Sequence, residues 1–65
     1  MNNAISSAIE QSVNETIASL QFQIDFSQDA ANDAHKNDDM TMFNYYTGQV
    51  VAFGIAIAAV KRALL

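Results

Sequence analysis

The stretch MTMFNYYTGQVVAFGIAIAAV, residues 40–60, runs for twenty-one residues without a charge and ends at Lys61-Arg62. Within it Phe43, Tyr46, Val50, Phe53, Ile57 and Val60 recur at alternating steps of three and four, and Leu64 continues the series. That spacing keeps one stripe of an α-helix against a partner helix. From Val50 to Val60, however, nearly every side is apolar, so one partner stripe cannot cover all of it. The first half answers with its own periodicity: Ile5, Ile9, Val13, Ile17, Leu20 and Ile24 fall three or four residues apart and share one face, which Phe22 and Phe26 are expected to widen. Alanines at 30, 31 and 34 follow, where another helix can approach closely.

Between the two periodic segments lies HKNDD, residues 35–39. His35 and Lys36 suit the carboxyl end of a helix, where cations meet the negative end of its dipole; Asn37, Asp38 and Asp39 suit the cap of the next. A short polar connection between two long helices folds them antiparallel. The expected fold is therefore all-α, one domain over residues 1–65: a two-helix antiparallel hairpin with a helix over about 5–35, a turn over about 35–39 and a helix over about 39–64. There is no proline, and the only two glycines, Gly48 and Gly54, fall inside the second helix. Ser7 with Glu10 and Ser12 with Glu15 match the capping-box pattern, which would let the first helix start late.

Sixty-five residues hide only about 60% of their unfolded surface, so a chain of this size needs reinforcement. With no cysteine, disulfides and thiolate zinc sites drop out, leaving a homo-oligomer or a helical protein partner as the expected support. Zero cysteine fits a reducing, cytoplasmic setting, with a membrane or an exported assembly as the alternative. The amino terminus lacks a basic start, a continuous apolar stretch and a small-residue cleavage site, so no secretory leader is expected and Met1 is expected to begin the working protein. The net charge of −4 is uneven: residues 1–39 hold all seven acids and Lys36 (−6), whereas residues 40–65 hold only Lys61 and Arg62 (+2). No basic stripe interleaved with aromatics exists, which argues against nucleic acid as a partner.

Chemistry-bearing constellations are scarce. Asp25, Asp29 and Asp33 stand four apart on one side of the first helix, but the second half has no acid or histidine to complete a metal-binding wall, so a solvated acidic face is expected and no metal. Asn37-Asp38-Asp39 lacks the glycine and terminal glutamate of a calcium loop. His35 is the sole histidine, and no serine or threonine has a base arranged to activate it, so no catalytic residue and no cofactor are expected and the chain is expected not to be an enzyme.

What remains is association. Phe43, Tyr46, Val50, Phe53, Ile57 and Val60 are expected to form the intramolecular seam, packing on Val13, Ile17, Leu20 and Ile24. Tyr45, Gly48, Val51, Gly54, Ile55, Ala58 and Ala59 are expected to form a partner-binding face, small enough at the glycines and alanines for close backbone approach. The uncharged run is long enough to span a bilayer, with Lys61-Arg62 as an anchor, but Thr41, Asn44, Thr47 and Gln49 shorten its continuously apolar part to Val50–Val60, eleven residues, which fits an assembly interface better.

Through the aromatic start Phe43–Tyr46 and the later Ala52-Phe53 and Ala56-Ile57-Ala58, set in a second helix after a polar turn, the chain resembles the small E-type co-chaperones of type III secretion systems. The second helix is less charged here than in that family. Leu20-Gln21-Phe22-Gln23 is similar to segments of small needle and inner-rod subunits. The resemblance implies a partner-binding hairpin whose apolar helix is sheltered by a helical-repeat chaperone and a secreted subunit. Two other classes fit the same residues: a single-span membrane or filament subunit of phage-coat type, and an oligomeric small-ligand-binding protein with pockets between chains.

Overall fold

A computed structural model of the chain describes residues 2–63. Helix α1 covers Asn2–Lys36 and helix α2 covers Met40–Ala63, folded back on one another as an antiparallel hairpin. The expected extension of the second helix to Leu64 lies outside the described residues. The hairpin is a rod, 56 × 16 × 10 Å, because its length is that of the longer helix.

The reversal is built from residues 37–39. Asp38 has a φ of 56°, in the left-handed region that turns a chain out of a helix. The Asp39 amide donates to the Ala34 carbonyl at 2.8 Å and the Asp38 amide to the His35 carbonyl at 3.2 Å, which together satisfy carbonyls at the end of α1. Glycine usually fills this position; aspartate is among the few residues that tolerate it. Asp39 then opens α2, its carboxylate accepting from the Met42 amide at 3.2 Å and its carbonyl from the Phe43 amide at 2.9 Å. The His35 and Phe43 rings meet across the turn with centroids 5.3 Å apart.

Along the rod, α1 presents Val13, Ile17, Leu20, Ile24, Ser27, Ala31 and Ala34 to α2, again spaced alternately by four and three. Near the turn the contact is closest: Ala31 is 4% exposed, Ala34 and Ile57 are buried, and Ser27 is 1% exposed. The Ser27 hydroxyl donates to the Gln49 side-chain oxygen at 3.0 Å, the one polar link across the seam among the described side-chain hydrogen bonds. The alanines at 31 and 34 admit a neighbouring helix as their size implies, and that neighbour is α2 itself.

Two expectations are corrected. The Ser7–Glu10 and Ser12–Glu15 patterns do not cap anything, because α1 already runs from Asn2 and passes straight through both serines. These residues are used along the helix instead: Gln11 donates to Glu15 at 3.1 Å, and Thr16 donates to the Ser12 carbonyl at 2.9 Å. Phe22 and Phe26 do not widen the buried stripe either. Phe22 lies roughly half a turn from the seam residues Leu20 and Ile24 and Phe26 a third of a turn or more from Leu20 and Ile24, and they stand 67% and 59% exposed on the back of α1.

Because Asp38 holds a conformation that costs an L-residue about 1 kcal/mol and Asp39 supplies a cap worth about the same, the two neighbours respond oppositely to substitution. Asp38→Gly raises, and Asp39→Ala lowers, the free energy of unfolding by about 1 kcal/mol each, read as shifts of the urea midpoint with unchanged slope.

Candidate functional site

Helix α2 carries two apolar stripes on nearly opposite sides. Of the seam residues, Ile57 is buried and Phe43, Tyr46, Val50, Phe53 and Val60 are half-buried against α1, with Gln49 and Ala56 on the flank. Their counterparts Val13, Ile17, Leu20 and Ile24 are half-buried as well, as befits a seam only two helices deep.

The outward stripe is Gly48, Val51, Ile55 and Ala58, bordered by Tyr45, Ala52 and Ala59, and all seven are exposed. Val51 is 57% and Ile55 63% exposed, which in a protein that buries so little marks an unpaired surface. The Tyr45 ring, also outward, stands edge-on to Tyr46 with centroids 5.2 Å apart, so the pair bridges the outer face and the seam. Gly54 is placed differently from the rest of the expected face: it is half-buried, on the flank beside the seam.

The glycines are not sites of close approach within the hairpin. A methyl group added to Gly48 or Gly54 would meet no side chain and no part of α1 within 4 Å. Any close contact that uses their smallness must come from outside the chain.

Two further apolar features stand outside the covered seam. The Ser27–Gln49 and His35–Phe43 contacts set a register in which the end of α2 at Ala63 lies level with about Val13. The first eleven residues of α1, 2–12, therefore project past α2, and Ile5 and Ile9, which continue the seam, stand exposed. The unequal lengths of the two periodic segments carried that signal. Phe22 and Phe26, on the back of α1, sit amid Glu15, Asp25, Asp29 and Asp33, all exposed.

Those aspartates form a solvated row, with Gln21 donating to Asp25 at 3.1 Å, and no group of three or more His, Cys, Asp or Glu among the described residues is placed to hold a metal ion. His35 is exposed at the end of α1, its ring on Phe43. The surface depressions along Ser7–Ala18 and around Asn32, His35 and Phe43 are open and shallow. α2, at 24 residues, is long and apolar enough by length and composition to cross a membrane. Comparison with protein-family models, with curated proteins and with solved structures gives no match for this chain.

Since nothing in the hairpin touches the added methyl at either position, the substitution removes only backbone freedom. Gly48→Ala and Gly54→Ala each stabilise the folded chain by about 1 kcal/mol, measured by denaturation at low protein concentration.

Proposed function

We propose that the protein is a non-enzymatic helical interaction protein, a co-chaperone-like adaptor or an assembly subunit, that binds through the outward face of α2. The observation that carries this reading is the exposure of Val51 and Ile55 in a continuous apolar stripe with Gly48 and Ala58, on a helix whose other stripe is already occupied by α1. A helix apolar on two opposite sides and covered on one is a helix awaiting a neighbour. The sparse burial points the same way. The chain exposes 4942 Å². A compact protein of its mass exposes ~4,100 Å². The bound neighbour is either another copy or a helical partner, in a cytoplasmic setting, and nucleic acid is disfavoured by the acidic outer face of α1. A membrane can satisfy the same stripe, but α1 brings acids at 25, 29 and 33 alongside α2, and charge in the hydrocarbon region is costly.

A carboxylate buried at this face without a partner costs several kcal/mol, whereas on an unused surface it costs almost nothing. Ile55→Asp and Ala58→Asp therefore abolish assembly, read as a fall in mass by light scattering without detergent, while far-UV circular dichroism retains the hairpin's helicity. A variant that stays fully assembled refutes this face as the interface, and a wild-type chain that is soluble only in detergent refutes protein cover altogether.

A further inference from the structure

The outward stripe of α2, with one residue added at each end, reads Asn44, Gly48, Val51, Ile55, Ala58, Arg62, spaced four, three, four, three, four. The spacing is the same from either end, about the level of Phe53. We infer that the occupant of this stripe is the α2 of a second copy of this chain, running antiparallel about a two-fold axis at that level, so that two hairpins form a four-helix layer with both α2 helices inside.

A two-fold interface must be complementary to itself. In the antiparallel arrangement Val51 meets Ile55 of the second copy and Gly48 meets Ala58 of the second copy, each pair occurring twice. Branched side chains fill the centre and small residues lie at both ends, where backbones can come close. Space for that approach exists, because nothing in the hairpin lies within 4 Å of a methyl placed on Gly48.

Charge selects the direction. Side by side in parallel, the two chains bring Lys61 and Arg62 of both copies together at one end and Asp38 and Asp39 of both together at the other. Antiparallel, Arg62 lies level with Asn44 of the second copy, and the basic end of each helix points toward the acidic turn of the other, with the helix dipoles opposed.

Charge also selects the surface. The back of α1 sets Glu15, Asp25, Asp29 and Asp33 around its two phenylalanines, so docking α2 there would bury carboxylates opposite an uncharged stripe. The flanks of α1 carry Gln21, Gln23 and Gln28, all exposed. Set against the back and flanks of α1, α2's own outward stripe is the one that matches it in both charge and side-chain size.

This inference rests on the proposed helix-association role and fails separately from it. The natural chain has no cysteine, so Gly48→Cys and Ala58→Cys each carry a single thiol. In the antiparallel pair two copies of position 48 stand ten residues of helix apart, about 15 Å, beyond disulfide reach, whereas 48 and 58 face each other. Mild oxidation of the mixed variants is expected to give a covalent 48–58 dimer, mapped by peptide mass, and little dimer from either variant alone, with the wild type dimeric by light scattering. Dimers from a single variant overturn the antiparallel arrangement while leaving association through this face intact. A monomeric wild type overturns the second copy as occupant and leaves the adaptor role to a different helical partner, and solubility in detergent alone overturns both. Should either variant lose helicity by circular dichroism, Asn44→Cys with Arg62→Cys gives the same readout, because same-site copies there stand eighteen residues, about 27 Å, apart: mixed cross-links support the arrangement and same-site cross-links overturn it.

Discussion

The hydrogen bond from Ser27 to Gln49 fastens, in mid-seam, the register that the three-residue turn at 37–39 sets. It is a 3.0 Å link from a hydroxyl 1% exposed, in a seam otherwise lined by aliphatic, aromatic and small side chains. The short turn forbids a whole heptad step of about 10 Å, but aliphatic contacts alone tolerate smaller shifts. A buried hydroxyl without an acceptor costs about 1–3 kcal/mol, so sliding α2 along α1 separates this pair and is penalised. On either side of Ser27 the seam differs in kind. Toward the turn, Ala31 and Ala34 let the helices close up. Away from it, Ile24, Leu20, Ile17 and Val13 hold them apart with larger, half-buried side chains.

Once that register is set, the rest of the surface follows. α2 is eleven residues shorter than α1, 24 against 35, and the turn takes up residues 37–39, so the whole mismatch emerges at the amino end of α1 as an uncovered extension bearing Ile5 and Ile9. The face of α2 turned away from Ser27 is fixed at the same time, since Gln49 must point inward. Val51 and Ile55, two and six residues further on, are carried outward by the helical repeat.

Periodicity made the architecture readable in advance. Both seams keep the three-four alternation, and the Asn37–Asp39 cluster carries turn and cap chemistry, so two antiparallel helices and their junction could be placed to within a few residues. What the linear pattern obscured has two physical origins. Capping-box matches at Ser7 and Ser12 are local preferences, and a helix that continues satisfies the same amides with its own carbonyls. Phe22 and Phe26 are apolar and close in sequence to Leu20 and Ile24, yet 3.6 residues per turn sends them to the opposite side. Hydrophobicity alone could not separate stripe from back; the angular position of each residue does. That Tyr45, Gly48, Val51, Ile55, Ala58 and Ala59 point outward was legible for the same reason, with Gly54 the exception, because a residue one step beyond Phe53 falls on the border of the seam.

An incomplete core is what connects this fold to a role. Two helices in contact can each bury one stripe, and only Ser27, Ala31, Ala34 and Ile57 reach full burial among the described residues, three of them small. Small side chains give close approach but little transferred apolar area, so the stabilisation they bring is modest. The larger apolar side chains are half-buried in the seam or fully outside it, at Ile5, Ile9, Phe22, Phe26, Val51 and Ile55. A sequence tuned for a free-standing hairpin would place charge at or around 51 and 55, as α1 sets Asp25, Asp29 and Asp33 around its own exposed Phe22 and Phe26. The exposed phenylalanines of α1 stand among carboxylates, whereas Val51 and Ile55 stand in an uncharged stripe, and that contrast is what supports the proposed partner for α2.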